Sequence, residues 1–296
     1  MYVATCSECR ELDRIAWLDF GLPGLVLMEN ASRSILAQAL DFWPFLAQKG
    51  RRIAILAGPG QNGGDGWVLA RLFSNLNHLT DSFLITDNGR RPQGDAAVNF
   101  SLLKKLGLNL KIIESPTDPL PDFSRYSLIV DAIFGAGLDR PLSGAAARTL
   151  ASACQAERSF KVLAVDLPSG LYGDSGECSP ETLRADLTVT LGAYKPGFFL
   201  KKGPLVTGAI KFGDIGLCPQ MYQKAEPKGR VLDLALASSL VPIRPQGGHK
   251  GTFGHAVLLG GSKGKNGALV LAALGAHRSG CGLVTAAHAS SQETIF

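Results

Sequence analysis

The chain has 296 residues, 46% of them hydrophobic and 19% charged, which is enough for one large domain or two ordinary ones. No segment approaches the roughly 18 uninterrupted apolar residues of a membrane span. The N-terminus is acidic and polar where a signal peptide would have a basic flank and an apolar run. The cysteines are scattered, and Cys6 and Cys9 form a lone C-x-x-C, which favours reduced thiols over a metal site. We therefore expect a cytoplasmic protein.

The net charge of +5 is confined to the last quarter of the chain. Residues 219–296 hold eight Lys or Arg and three Asp or Glu, whereas residues 1–218 hold 22 of each kind. A nucleic-acid-binding surface carries an excess of basic residues, and the larger part of the chain has no such excess. We therefore expect neither a nucleic-acid partner nor a membrane partner.

The first predicted elements are helices within residues 5–48. Thr5 and Glu8 have capping-box spacing, and Pro23 stands where a second helix can begin. Beyond residue 50, short apolar runs without alternation are separated by helical stretches, which is typical of parallel strands covered on both faces. The pattern predicts a three-layer α/β fold with a Rossmann-like parallel sheet. The predicted strands are 53–57, 83–86, 110–113, 128–130, 162–165, 187–191 and an edge strand at 209–215, and the crossover helices are 65–77, 95–106 and 144–157.

The last quarter has an organisation of its own. Residues 219–243 are predicted to be a linker, followed by a strand at 255–259, a helix at 268–278 and a strand at 283–286. A βαβ unit of this size cannot close a core. We therefore divide the chain into a domain at 1–218, a linker at 219–243, and at 244–296 the opening of a domain whose remainder is missing.

The first candidate site is the Gly-rich turn AGPGQNGGDGWV at residues 57–68. Gly58, Gly60 and Gly63 satisfy the dinucleotide fingerprint G-x-G-x-x-G, although a plain tight turn would also be rich in glycine. Pro59 removes a backbone donor from the loop. Asp65, placed in the first turn of the predicted helix, would occupy the field that a pyrophosphate needs. A sugar hydroxyl or a cation suits this turn better, with Asn62 offering an amide oxygen.

Two further signals are aspartates that end apolar runs. Asp131 and Asp166 each close a predicted strand, and a single aspartate in such a place can also cap the next helix. Because the carboxyl ends of parallel strands meet at one edge, we expect these two side chains beside Asn62, Asp65 and Ser169. The turn at residues 135–137 has glycines that would let backbone N–H groups approach a phosphate. Lys195 follows a strand, where it would either contact substrate or lie in a surface turn.

Five motifs follow one another along the chain: GLPGLVLMENASRS (21–34), GPGQNGGDGWVLA (58–70), VDAIFGAGLDRPLSG (130–144), VLAVDLPSG (162–170) and ADLTVTLGAYKPG (185–197). They stand in the order and spacing of the NAD(P)H-hydrate epimerase (YjeF N-terminal) family, which the chain resembles over about residues 5–218. The following stretch, HKGTFGHAVLLGGSKGKNGALVLAALGAHRSGCGLVTAA (249–287), is similar to the start of an ADP-dependent NAD(P)H-hydrate dehydratase, a ribokinase-like domain. The pair in this order is similar to bifunctional bacterial repair enzymes.

The resemblance implies a site, residue by residue. It implies a potassium ion held by Asn62, Asp131 and Ser169, and a homodimer formed through the N-terminal helices. Gln61 stands where Asn is usual and Ala136 where Thr is usual, which bears on substrate affinity. The implied contacts to hydrated NADH or NADPH are Gln61, Asn62, Gly63, Gly64, Asp65, Gly135, Ala136, Gly137, Leu138, Asp139, Arg140, Pro141 and Asp166.

The dehydratase resemblance implies less. Its catalytic Asp and most of its nucleotide contacts come later than residue 296, so ADP is expected only for the absent part of that domain. Ala268 matches an early contact to the hydrated substrate.

The function that the resemblance implies is epimerisation of the R hydrates of NADH and NADPH to the S forms. The reacting carbon carries a hydroxyl beside the ring nitrogen, so inversion needs only loss and return of water, or ring opening and reclosure. We assign general acid/base catalysis to Asp166. The alternatives are a non-catalytic nucleotide-binding module and, from the G-x-G-x-x-G pattern alone, an NAD-dependent oxidoreductase.

Overall fold

A computed structural model describes residues 1–87, 89–262 and 264–288, so the last eight residues of the predicted dehydratase-like segment lie outside the described residues. The chain forms two compact units, Met1–Val231 and Leu232–Phe296. The first unit is thus longer than the predicted domain at 1–218. None of the helices in the described part of the chain is long and apolar enough to cross a membrane.

The first unit is built on a seven-stranded parallel sheet, which confirms the predicted Rossmann-like fold. The strands of this unit, of which β2 to β8 form the sheet, are in chain order β1 (Tyr2–Val3), β2 (Arg52–Ala57), β3 (Leu79–Ile85), β4 (Asn109–Ile113), β5 (Leu128–Ala132), β6 (Lys161–Val165), β7 (Leu187–Leu191), β8 (Ala209–Gly213) and β9 (Gly229–Arg230). The sheet has the order β4-β3-β2-β5-β6-β7-β8, and β1 pairs with β9 in an antiparallel ribbon.

The helices cover both faces of this sheet. Thr5 and Glu8 form the predicted capping box at the start of the first helix. The helices are α1 (Cys6–Arg14), which continues into a π-helical turn at Ile15–Asp19, α2 (Gly24–Phe42), α3 (Gln61–Asn75), α4 (Gly94–Lys105), α5 (Gly144–Gln155), α6 (Gly203–Val206) and α7 (Pro219–Ala225), with short 3-10 turns at Pro44–Ala47, Phe123–Arg125 and Pro196–Phe198.

Two apolar clusters separate the layers. Along β2, Ile53 and Ile55 point to the face covered by α2, α3 and α4, whereas Ala54 and Leu56 point to the face covered by α5. Successive side chains of a strand face opposite ways, so a strand buried on both faces is apolar throughout. This arrangement accounts for the unalternating strand sequences.

The predicted linker at 219–243 is wrong in its first half. Helix α7 and strand β9 pack on the first unit, because Met221 is buried with Ile15 and Leu27 and β9 pairs with β1. The polar composition of this stretch concealed the single apolar face of a short helix. The boundary between the units follows Val231.

The second unit has the predicted βαβ order. It consists of α8 (Leu234–Leu240), a 3-10 turn at Lys250–Phe253, β10 (His255–Leu259), α9 (Gly267–Arg278) and β11 (Leu283–Ala287). Strands β10 and β11 are parallel neighbours, as a crossover helix requires. Leu269 is buried against them, whereas Val257, Leu259 and Leu271 are largely exposed.

Candidate active site

The sheet changes direction between its central strands β2 and β5. After β2 the chain moves outward through β3 and β4, then returns to β5 on the other side and continues to β8. At such a switch point the loops leave in opposite directions and open a crevice for ligand. The Gly58 N–H donates to the Ala132 carbonyl at 3.1 Å, so the Gly-rich turn and the loop after β5 start side by side.

Helix α3 begins at Gln61, four residues earlier than the predicted 65, with Gly60 as its N-cap. Asp65 therefore lies in the second turn of the helix, and the prediction that placed it in the first turn is wrong. A Cβ on Gly63 would come within 1.9 Å of the Gly58 carbonyl oxygen, whereas one on Gly60 would meet no atom within 4 Å. Gly63 is thus required for the tight turn, and Gly60 keeps the surface of the turn open.

Asp131 and Ser169 form a buried pair at the crevice. Neither is exposed. The Ser169 backbone N–H and hydroxyl donate to the Asp131 carboxylate at 2.7 and 2.5 Å. Burial raises the pKa of Asp131 to about 6, although these hydrogen bonds oppose the shift. Asp131 does not cap α5, which begins at Gly144, so the capping alternative fails here.

Asp166 makes a buried ion pair with Lys195. The Lys195 ammonium donates to Oδ1 of Asp166, to the Thr190 hydroxyl at 3.1 Å and to the Leu191 carbonyl at 2.9 Å, which uses all three of its protons. Burial lowers the pKa of Lys195, but the charge and hydrogen bond of Asp166, together with the nearby Cys9 and Cys6, outweigh burial and the net shift is upward. Lys195 is 1% exposed, so it belongs neither to a surface turn nor to the substrate surface.

Gly135 brings Asn62 and Asp166 together. A Cβ on Gly135 would lie 2.8 Å from Asn62 Oδ1 and 3.3 Å from Asp166 Oδ2. The two side chains are therefore neighbours across the loop after β5. Asp166 holds this position with a φ of 65°, a left-handed conformation that is uncommon for a residue other than glycine. Such strain is typical of functional sites.

The site contains a cluster of polar side chains, Asn62, Asp65, Asp131, Asp166 and Ser169. Within this cluster Asp65 is the carboxyl group with the fewest partners. It is 8% exposed, and no residue in the described part of the chain donates a hydrogen bond to its carboxylate. Burial raises its pKa well above the ordinary value, and the charges of Asp166 and Asp13 raise it further. Asp13 is exposed on α1, yet the surrounding protein desolvates it enough to raise its pKa to about 6. Asp13 was not predicted, because one acidic residue in a surface helix is ordinary.

The residues present fit a monovalent cation with oxygen ligands. Asp131 is buried and carries no ion pair within the described residues, and buried carboxylates are normally paired or bound to a metal. Asn62 Oδ1, which faces Gly135, offers an amide oxygen, whereas its buried Nδ2 has no hydrogen-bond partner among the described residues. The carbonyl of Phe134 lies 3.3 Å from the Ser169 hydroxyl and adds another oxygen.

The remaining predicted contacts lie on the loop after β5 and in the second unit. Gly135, Ala136 and Leu138 are partly buried, whereas Gly137 and residues 139–141 are exposed. The Ala136 carbonyl accepts from Arg10 at 3.4 Å. Ala268, the remaining predicted contact, is exposed on α9 of the second unit.

A cleft of about 530 Å³ opens beside the start of α3. The open Gly60 and the exposed Gln61 line one side of it, and Arg90 and Arg91 of the loop after β3 line the other. Arginine presents several donors in a fixed fork that matches phosphate. The two arginines were not predicted, because basic pairs in surface loops are common.

The family model described as YjeF-related protein N-terminus matches residues 24–197, more than half of the chain. The chain belongs to this family. Matches to the family therefore span α2, the sheet from β2 to β7 and every residue of the cluster, but not Asp13.

Relatives of two sizes match the chain. The bifunctional NAD(P)H-hydrate repair enzymes Nnr of Moorella thermoacetica and Coxiella burnetii are 37% and 34% identical, over 97% and 95% of this chain and 54% and 55% of their own length. The chain thus spans about half the length of these relatives. The NAD(P)H-hydrate epimerase of Rhodopirellula baltica is 34% identical, over 72% of this chain and 84% of its own. The crystal structure of yeast ynu0 has the same fold, with a TM-score of 0.65 at 22% identity over 78% of this chain and 97% of its own.

Proposed function

We propose that the first unit is an NAD(P)H-hydrate epimerase that interconverts the R and S forms of hydrated NADH and NADPH. The observation that carries this proposal is the placement of Asp166, held by Lys195 at the switch point with its second carboxylate oxygen toward Gly135 and Asn62. The names of the relatives agree with it. The second unit corresponds to the start of the dehydratase half, and ADP-dependent dehydration is proposed only for a longer parent protein.

Substrate binding follows the shape of the crevice. The cleft with Arg90 and Arg91 suits the phosphates of a dinucleotide, since it is wide, cationic and open at Gly60. The reacting ring would then lie deeper, toward Asp65 and Asp166. Residues 135–141 would close over the nucleotide between these two regions.

The chemistry needs proton transfer at one hydroxyl and no redox cofactor. The hydroxyl-bearing carbon is bonded to the ring nitrogen, whose lone pair assists departure of the oxygen. Asp166 Oδ2, free of the bonds that hold Oδ1, is the oxygen placed to exchange a proton with the substrate. General acid/base catalysis of this kind contributes about 10²–10⁴-fold.

We also propose that Asn62, Asp131 and Ser169 hold a potassium ion. When bound, it would supply positive charge that balances Asp131 and nearby phosphate. These residues position the loop after β5, since the Ser169 hydroxyl also accepts from the Phe134 N–H at 2.9 Å.

The proposed assembly is a homodimer through the N-terminal helices. Trp17, Phe20, Leu25 and Val26, at the end of α1 and the start of α2, are 38–61% exposed. Exposed aromatic and aliphatic side chains in one region favour a protein interface. The proposed location is the cytoplasm, which agrees with six free cysteines.

The decisive experiment supplies the protein with R-enriched NADPH hydrate and follows the ratio of R to S by chromatography. The wild-type protein is expected to equilibrate the two forms much faster than buffer alone, and Asp166→Asn is expected to lose about 10²–10⁴-fold of the rate. Tight nucleotide binding without acceleration would identify a non-catalytic nucleotide-binding module and reject the epimerase.

A further inference from the structure

The cluster contains two carboxylates in opposite environments. Asp166 accepts at Oδ1 from an ammonium group, from the Leu191 N–H at 3.0 Å and from the Thr190 hydroxyl at 3.3 Å. Asp65 is nine-tenths buried and receives no hydrogen bond from the described residues. Bonds from cationic and neutral donors stabilise a carboxylate, whereas a buried charge without them is costly.

Asp65 and Asn62 share one face of α3. They are three residues apart in the helix, and residues at this spacing are neighbours on its surface. Asn62 Oδ1 points toward Gly135, whose other neighbour is Asp166 Oδ2. Asp65 therefore lies on the Asn62 side of α3, close enough to Asp166 for the charge of Asp166 to raise its pKa.

We propose that Asp65 is a second catalytic residue, a neutral carboxylic acid that donates the proton for which ionised Asp166 is the acceptor. This proposal rests on the epimerase function and goes beyond the assignment of acid/base catalysis to Asp166 alone. Sites that handle two proton transfers commonly hold titratable pairs whose environments separate their protonation states.

The proton balance of the pair is complete. When the hydroxyl leaves, the C–O electron pair goes to oxygen, the Asp65 proton completes a water molecule, and the nitrogen lone pair forms the C=N bond. Water then adds to the other face of the ring and gives its extra proton to Asp166. The enzyme ends with its proton on Asp166 and returns it to Asp65 through solvent.

Ring opening uses the same two residues. Asp166 takes the hydroxyl proton as the carbonyl forms, the C–N electron pair goes to nitrogen, and Asp65 protonates that nitrogen. Reclosure on the other face of the carbonyl reverses both transfers. Either route thus requires one donor and one acceptor, which the two environments provide.

The other charged groups around α3 leave this arrangement intact. The charged side chains that act on Asp65 are Asp166 and Asp13, both acidic. On the neighbouring helices, Glu29 of α2 is paired with Arg71, further along α3. These charges add no positive partner for Asp65.

The kinetic test compares Asp65→Asn with wild type on R-enriched NADPH hydrate. Asparagine keeps the size of the side chain and a hydrogen-bond donor but has no acidic proton. We expect kcat to fall about 10²–10⁴-fold with KM changed less than about threefold. The matched control is Asp81→Asn, because Asp81 is equally buried but lies near the amino end of β3, where it is bonded to Arg52. That control should keep its kcat within about twofold of wild type.

A second measurement reads the protonation of Asp65 without substrate. Folding raises the pKa of the Asp65 carboxyl group. The contribution of this group to the free energy of unfolding is therefore present at acid pH and is lost as the pH rises through the raised pKa. Asp65→Asn should therefore unfold at a higher temperature than wild type at pH 9, and this advantage should shrink toward pH 5. Asp81→Asn should show no such gain.

The outcomes separate the two proposals. A wild-type protein that does not accelerate epimerisation rejects the epimerase itself. An active wild type with Asp65→Asn at full kcat, or with only KM raised, overturns the proton-donor role of Asp65. A thermal stability of Asp65→Asn below wild type by the same amount from pH 5 to pH 9 also overturns it, because the native group would then be ionised and bonded.

Discussion

The Lys195 ammonium binds one oxygen of Asp166 and leaves the other facing Gly135. The lysine stem lies against Gly173, where a Cβ would meet Lys195 Cγ at 3.5 Å and Cys6 Sγ at 2.6 Å. The surroundings of the Asp166 carboxylate are thus assembled from α1, the loop after β6 and the turn after β7. Asp166 is oriented before substrate arrives.

Replacing Lys195 by Met should therefore damage both stability and activity. The ammonium is removed from a buried pair, which typically costs about 3–5 kcal/mol because the remaining charge is uncompensated. We expect a loss of this size in urea-induced unfolding and loss of epimerisation. Adding Asp166→Asn to Lys195→Met removes the stranded carboxylate and should recover much of the stability but none of the activity. Equal stability of the single and double variants would contradict the pairing.

The sequence predicts the sheet edge well because parallel strands place their ends together. Asp131 and Asp166 follow apolar runs, and this alone puts them near Asn62. The burial of Lys195, by contrast, could not be predicted from the sequence. It depends on loops that are far apart in the chain and fold over the side chain. Local pattern carries no information about such long-range enclosure.

The start of α3 was missed for a related reason. Residues 61–64 include two glycines, which disfavour helix, so propensity delays the predicted start. In the structure the helix begins at Gln61, the Gly64 N–H already donates to the Gly60 carbonyl at 3.1 Å, and Gly63 lies close against the Gly58 carbonyl. Only glycine fits this close local contact, so the low helix propensity of Gly63 is outweighed by the geometry of the turn that precedes α3.

Gly135→Ala should impair catalysis while the fold survives. The added methyl group would lie 2.8 Å from Asn62 Oδ1 and 3.3 Å from Asp166 Oδ2, so both side chains must shift. A misplacement of about 1 Å near the reacting atoms can cost about 10²-fold. Gly137→Ala changes the same loop but meets no atom within 4 Å, and its loss should be much smaller. Rates and melting temperatures of both variants check this, and equal losses would argue against the contact.

Potassium should stabilise the protein if Asn62, Asp131 and Ser169 hold it. A ligand that binds only the folded state adds about 2.7 kcal/mol at one hundred times its dissociation constant. We expect the melting temperature to rise with KCl beyond its rise in choline chloride of equal ionic strength. Asp131→Asn should abolish this difference, whereas Asp186→Asn, on the surface beside Arg158, should retain it. A potassium effect that survives Asp131→Asn would place the ion elsewhere.

The apolar surface around Trp17 leads to a prediction about assembly. Trp17 is 61% exposed and Val26 is 41% exposed, and burial of such side chains between two copies would stabilise a dimer by about 25 cal/mol per Å² of apolar area. Trp17→Glu should therefore convert dimers to monomers in analytical ultracentrifugation, and the monomers should remain folded. Leu205→Glu is the matched control, since Leu205 is 66% exposed on the short helix α6, away from the N-terminal helices in sequence. Dissociation by Leu205→Glu, with dimers intact in Trp17→Glu, would move the interface away from the N-terminal helices.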